Sequence, residues 1–226
     1  MLTRLPFVNT SHRTEPNSIK STHTYSGKRV GALVLAAGFS RRFGASKLLA
    51  KLPDNRQVSL LEQTLTNLSA ALPLITVVYR PELREQFLAI GERVKAKNPE
   101  TAISFSEFDD AESGMGASLA HCAKSITDWT AALVCLADMP YILPSTYSLL
   151  ANTVTTDSII APYFNAVRGH PIAFGSDFFN ELRMLSGDAG ARSLLDKHSA
   201  KTLSLAVDDN GILIDIDTRE DLNQRL

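Results

Sequence analysis

Apolar and polar positions alternate along this chain so as to mark short β-rich runs separated by longer helical stretches. Val30 to Leu35 is apolar and ends in Ala36-Ala37-Gly38, the pattern of a buried strand feeding a loop. Ser59 followed by Glu62 has the spacing of a capping box. It opens a helix with Leu60, Leu61, Thr64, Leu65 and Leu68 on one face. Leu74 to Tyr79 is a second strand, and Pro81 stands where a helix from Glu82 to about Val94 begins. Further strands are expected at Thr101 to Phe105, Ala131 to Leu136 and Ser158 to Ala161, with an extended piece at Ile172 to Phe174. Thr202 to Val207 and Ile212 to Ile216 are expected to close the sheet. Helices are expected at Ala117 to Ser125, Ser145 to about Asn152, Asp177 to Leu185 and Ala189 to His198, with a short one from Arg219.

This order predicts an α/β fold: a single three-layer domain with a Rossmann-like, mostly parallel sheet and helices on both faces. Ala131 to Leu136 is almost wholly apolar, as a central parallel strand requires. Ligands of such sheets bind beyond the carboxyl ends of the strands, so a functional motif should fall there.

At 226 residues the chain suits one large α/β domain rather than two small ones. Residues 1–28, rich in Ser, Thr, His and Asn, are expected to form a flexible N-terminal tail, and residues 29–226 the domain. The tail lacks the apolar core of a secretory signal, and no apolar run approaches the roughly 18 residues of a membrane span. A cytoplasmic location, with no membrane partner, is the expectation. The formal net charge of −1 gives no overall basic field for nucleic acid, although Arg41, Arg42 and Lys47 form a local basic cluster. The two cysteines, Cys122 and Cys135, have no CxxC or zinc-ligand spacing and are expected to be reduced.

The segment Leu33 to Lys47 carries the first chemistry. A buried strand ends at the small residues Ala36, Ala37 and Gly38, followed by Ser40, Arg41, Arg42, Gly44 and Lys47. Small residues let a backbone approach a ligand closely, and successive amides can cradle phosphate oxygens. Arg41 and Lys47 bring cations to the same loop. The pattern is neither a P-loop nor a dinucleotide fingerprint. Asp138 follows the apolar run of Ala131 to Leu136 in Cys135-Leu-Ala-Asp-Met-Pro140, placed to face the same crevice and to offer Mg²⁺ a hard oxygen ligand. Gly114-Met115-Gly116-Ala117-Ser118 opens a helix whose N-terminus can bind an anion. Asp215 and Asp217 flank Ile216 on one side of an expected strand. Asp208 and Asp209 are expected in a solvated turn before Asn210-Gly211.

The run LAAGFSRRFGASK resembles the LAAGxSxRxGxxK signature of the MobA-like nucleotidyltransferases, and within them the molybdenum cofactor cytidylyltransferase group. The resemblance extends from Val30 to the C-terminus, because later segments match in order. It implies nucleotide binding by Leu35, Ala36, Ala37, Gly38, Ser40, Arg41 and Lys47, with Gly114, Gly116 and Ser118 near base and sugar. Arg41, Lys47 and Asp138 become the expected catalytic residues, and Asp138 and Asp217 the expected Mg²⁺ ligands. Arg168-Gly169-His170-Pro171 resembles the segment beside the family's acceptor pocket, and Gly187-Asp188-Ala-Gly-Ala-Arg192 resembles its GDxGAR segment. His170, Gly187, Asp188 and Arg192 are therefore expected to meet the acceptor. Arg219 stands where the family's DIDTPED segment has Pro.

The implied reaction is Mg²⁺-dependent transfer of a nucleoside monophosphate from a nucleoside triphosphate to a phosphorylated small molecule. Ala37, where guanylyltransferases of this type have Gly, favours CTP, and the later segments favour molybdopterin, with a molybdoenzyme as eventual recipient. Rival readings are a guanylyltransferase, a sugar-phosphate or methylerythritol-phosphate nucleotidyltransferase, and a nucleotide-binding accessory protein without turnover.

Overall fold

The computed structural model describes residues 27–40, 43, 46–53 and 57–223. Nearly all of the expected tail, together with Arg41, Arg42 and Gly44, lies outside the described residues. The elements in chain order are β1 (Val30–Leu35), α1 (Leu60–Ser69), β2 (Leu74–Tyr79), α2 (Arg84–Lys97), β3 (Ala102–Glu107), α3 (Met115–Ala123), β4 (Ala131–Leu136), α4 (Pro144–Thr153), β5 (Ile159–Phe164), β6 (Val167–Arg168), β7 (Ile172–Gly175), α5 (Phe179–Arg183), α6 (Arg192–Lys197), β8 (Thr202–Ala206) and α7 (Arg219–Asn223).

The sheet runs β3-β2-β1-β4-β7-β5-β6, with β8 paired to β5. Strands β3, β2, β1 and β4 are parallel, and β7 joins β4 antiparallel. The alternation of strand side chains builds the three layers. Val30, Ala32 and Val34 of β1 and Ala131, Leu133 and Cys135 of β4 pack with α1, α2 and α4 on one face. Leu33, Ala132 and Val134 point the other way and pack with α3, α5 and α6. Because the strand order reverses between β1 and β4, the loops after these two strands flank a crevice at their carboxyl ends.

Local signals explain most boundaries. The Ser59 hydroxyl accepts from the Glu62 amide at 3.3 Å, which starts α1. Pro81 opens a single 3₁₀ turn before α2 rather than α2 itself. The expected helices at Asp177 to Leu185 and Ala189 to His198 are shorter: Ser176–Phe178 is a 3₁₀ turn before α5, and Gly190 at φ 55° keeps the start of the second segment out of α6.

One expected strand does not form. Ile212 to Ile216 does not form a sheet strand; Asn210–Leu213 is a 3₁₀ turn followed by extended residues. A β-carbon at Gly211 would collide with the carbonyl of Tyr141, so the turn's backbone lies directly on the loop after β4. The polar groups that a strand would have paired go elsewhere: the Ile212 carbonyl accepts from the His170 amide at 2.9 Å, and the Ile216 amide donates to the Asp138 carbonyl at 3.1 Å.

Candidate active site

A cavity of about 670 Å³ opens at the carboxyl ends of β1 and β4. Leu35, Ala36, Ala37, Gly38 and Ser40 form one wall, Gly114 and Ser118 a second, and Lys47, Asp138 and Asp217 the floor. A β-carbon added to Gly38 would meet nothing within 4 Å, so the space before the loop is open to a ligand.

Lys47 begins a 3₁₀ turn after the loop, and its ammonium lies 2.6 Å from Asp138 Oδ2 and 2.7 Å from Asp217 Oδ1. Burial pulls the Lys47 pKa down, but the charges and hydrogen bonds of Asp138 and Asp217 outweigh it and leave the pKa raised. The ammonium therefore stays charged through the physiological range. Asp138 follows β4 directly, and its Oδ1 is buried without a hydrogen-bond partner among the described residues. A buried carboxylate oxygen left unpaired invites a cation or a donor from a ligand. Among the described residues no cluster of three or more His, Cys, Asp or Glu side chains is arranged to hold a metal alone. Two carboxylates with one orphaned oxygen suit instead a Mg²⁺-type ion, which keeps waters and takes its remaining ligands from substrate phosphates.

The carboxylates come from separate segments, one just after β4 and one near the C-terminus, and three sets of bonds hold them in register. The Ile216 amide ties the Asp217 segment to the Asp138 carbonyl. Asp221 Oδ2 accepts from the amides of Asp217 and Thr218 (3.1 and 2.8 Å), while Thr218 Oγ1 accepts from the Asp221 amide at 3.1 Å. These reciprocal bonds organise the turn that carries Arg219 in place of Pro. The third set centres on Asp209, which is 5% exposed and not in a solvated turn. Its Oδ2 accepts from the Leu143 amide (2.9 Å) and Thr146 Oγ1 (2.6 Å), and its Oδ1 from the Gly211 amide (2.9 Å). Asp209 thus joins the 210–213 turn to the start of α4.

The glycine segment before α3 is shaped by backbone contact. Gly114 has φ 95°, and a β-carbon there would collide with Asp188 Oδ1. The Gly116 amide donates to the Gly187 carbonyl at 2.7 Å, so the two glycine segments stack. Ser118 turns its hydroxyl back to the Gly114 carbonyl at 3.2 Å.

The other sequence-predicted residues are distributed as follows. Asp188 lines the cavity, and Asp215 does so beside Asp217. Gly116, Gly187 and Arg192 are outside the cavity lining, Gly116 buried and Gly187 and Arg192 exposed, the last at the start of α6. Arg41 lies outside the described residues. His170 forms a cis peptide bond with Pro171 and sits behind Asp138, with Nδ1 buried and lacking a hydrogen-bond partner among the described residues. Burial lowers its pKa, opposed by Asp138, assisted by Arg168 and opposed by Asp215. The ring is therefore mostly neutral near pH 7. Sequence reasoning missed Phe39, which lines the cavity, and Arg80, which follows β2 and places its guanidinium 4.4 Å from the Phe39 ring centre.

Comparison with known proteins gives this arrangement its family. The model of the MobA-like NTP transferase domain matches residues 32–202. Purine catabolism protein PucB of Bacillus subtilis (strain 168) is 32% identical over 190 residues, covering 83% of this chain and 91% of that protein. The crystal structure of a Mycobacterium tuberculosis Rv0371c homolog from Mycobacterium sp. strain JC1 matches with 25% identity and a TM-score of 0.71, over 87% of this chain and 94% of that one. Rv0371c of Mycobacterium tuberculosis H37Rv, solved in complex with manganese, shares the fold at 23% identity and a TM-score of 0.66, over 87% of this chain and 97% of that one. With the Ala36–Gly38 loop, Lys47 and the two carboxylates gathered in one cavity, the chain belongs to the MobA-like NTP transferase family, a family of nucleotidyltransferases.

Proposed function

We propose that this protein transfers a nucleoside monophosphate from CTP to the phosphate of molybdopterin, releasing pyrophosphate, in a Mg²⁺-dependent reaction. The observation that carries the reading is the convergence of Lys47, Asp138 and Asp217 beneath the Ala36–Gly38 loop in one cavity. A phosphate-binding backbone, a cation and two carboxylates are the parts that displacement at an α-phosphorus needs.

In the reaction an oxygen of the acceptor phosphate forms a bond to the α-phosphorus, and the bond from the α-phosphorus to the bridging oxygen breaks. A phosphate monoester is already a competent nucleophile, so no strong base is needed. The protein's contribution is then positioning and charge stabilisation. The loop amides and Gly38 bring the backbone against the triphosphate, and Lys47 and Arg41 neutralise it. Asp138 and Asp217 would hold the divalent ion, which when bound offsets charge on the α-phosphate and the leaving pyrophosphate. His170, Gly187, Asp188 and Arg192 are proposed for the acceptor side. Asp188 is the one on the cavity wall, and His170 lies behind Asp138.

Ala37, which lines the cavity, supports the choice of CTP, because guanylyltransferases of this type have Gly at that place. The catalytic unit proposed is residues 29–226, acting in the cytoplasm and passing its product to a molybdoenzyme. The test is pyrophosphate release from CTP, GTP, ATP and UTP in separate reactions with Mg²⁺ and molybdopterin. Release with CTP supports the full reading, and release with GTP alone overturns the interpretation of Ala37. Turnover only when a sugar phosphate replaces molybdopterin keeps the chemistry and overturns the acceptor.

A further inference from the structure

The Lys47 ammonium occupies a position that a nucleotidyltransferase of this kind would give to a metal. It touches Asp138 Oδ2 at 2.6 Å and Asp217 Oδ1 at 2.7 Å, and its side chain is only 13% exposed. We propose that Lys47 is the resident counter-ion of the metal site, so that a divalent cation enters only as a nucleotide polyphosphate draws the ammonium away. The inference rests on the reading of Asp138 and Asp217 as metal ligands and goes beyond it by assigning an order of events.

Three features support it. First, a dication shared by both carboxylates and an ammonium bridging the same two oxygens would be repelling neighbours within a few ångströms, in a partly buried site where charge is poorly screened. The two cations therefore compete. Second, Lys47 needs somewhere to go. The other charged groups lining the cavity among the described residues are Glu112, Asp188 and Asp215, all acidic, so Lys47 is the cation of that described lining that can meet a triphosphate. Third, the path is short. Lys47 belongs to the turn that follows the phosphate loop, and the Gly38 face of that loop is open. Rotation about the side chain's own bonds moves the ammonium from carboxylates to phosphates without moving a strand.

The consequence is a linkage: nucleotide raises the affinity for metal, and metal raises the affinity for nucleotide by the same factor. Nucleotide-free protein binds divalent ions weakly, and the active site assembles its charges as one unit.

The test is Mn²⁺ binding to the nucleotide-free, full-length protein, followed by the loss of the free-ion EPR signal. Wild type, Lys47→Met and Lys47→Gln are compared, each with and without Asp138→Asn. Removing the ammonium should tighten Mn²⁺ binding by about tenfold or more, although the same variants lose turnover. If the Lys47 variants bind Mn²⁺ no more tightly than wild type while Asp138→Asn abolishes binding, the metal site stands and the role of Lys47 as its counter-ion is wrong. If Asp138→Asn changes nothing in any background, the assignment of the metal site itself is wrong. Should neither Lys47 variant fold, the wild-type titration decides. Half-saturation only at millimolar Mn²⁺ agrees with the proposal, whereas micromolar binding without nucleotide refutes it.

Discussion

Replacing Asp209 by Ala should destabilise the protein substantially, and should loosen the placement of Asp217 with it. The carboxylate is 5% exposed and accepts three hydrogen bonds, from the Leu143 amide, Thr146 Oγ1 and the Gly211 amide. Hydrogen bonds to a charged group contribute about 1.5–3 kcal/mol each, and water entering the truncated site recovers part of the loss. The net cost is then about 3–5 kcal/mol, against a total stability on the order of 5–15 kcal/mol. For a domain of this size it corresponds to a fall in Tm of about 10 °C. Asp209→Asn keeps one acceptor oxygen, which can serve either Gly211 or the start of α4, and should lose about half as much. Because the 210–213 turn leads directly to Asp215 and Asp217, the Ala variant should also need several-fold more Mg²⁺ for half-maximal turnover, measured below its Tm, with a smaller change in the KM for nucleotide. Urea titration gives the stability and a Mg²⁺ titration of turnover the second quantity. Equal losses in the Ala and Asn variants, or a loss under about 1 kcal/mol, would refute the assignment of the three bonds.

Other consequences are open to measurement. Gly114→Ala forces a β-carbon into Asp188 at a backbone φ of 95°, and should cost about 1–3 kcal/mol and raise the nucleotide KM, read by thermal melts and initial rates. Cys122 and Cys135 are fully buried, and burial pushes the Cys122 thiol up to about 12 and the Cys135 thiol higher still. Neither should react with a thiol reagent in the native protein, and both should react once it is denatured. Burial of Glu62 works to raise its pKa, but hydrogen bonds and charge from Arg93 and Lys97 outweigh it and leave the pKa below the ordinary value. A lowered carboxylate pKa contributes stability that is present above the unfolded-state value of about 4.3 and is lost as pH falls through the folded-state value. Glu62→Gln should therefore cost about 1 kcal/mol at pH 7, a modest figure because both cations are half exposed, and nothing at low pH. Deleting residues 1–28 should leave turnover unchanged.

The parts of the molecule that sequence reveals are those set by short-range pattern. Strands β1, β2 and β4 have the bounds read from the sequence, because strands covered by helices on both faces are apolar nearly throughout. Ser59 and Glu62 mark the start of α1 because capping chemistry is local. The features that stayed hidden depend on contacts between distant segments. Ile212 to Ile216 alternates like a strand, yet the contact of Gly211 with the Tyr141 carbonyl makes it a turn. Asp209, in a run that resembles a surface turn, is buried by partners at Leu143 and Thr146 that no window around it contains. The β6 hairpin turns on Asn165 and Ala166, both at positive φ, without the glycine that usually signals such a turn. For the site, the loop and its strand end were legible, and the family resemblance named Asp138 and Asp217. The bond from Lys47 to Asp217 spans 170 positions and became visible only in three dimensions.

The most direct test of the central claim is transfer of the α-phosphate. Wild-type protein is incubated with Mg²⁺, molybdopterin and CTP labelled at the α-phosphorus, beside Asp138→Asn and Asp217→Asn variants confirmed as folded by circular dichroism. Label should move to molybdopterin in step with pyrophosphate release, and each substitution should slow it by about 10²-fold or more. Transfer at wild-type rate by both variants would contradict the assignment of this carboxylate pair to the chemistry.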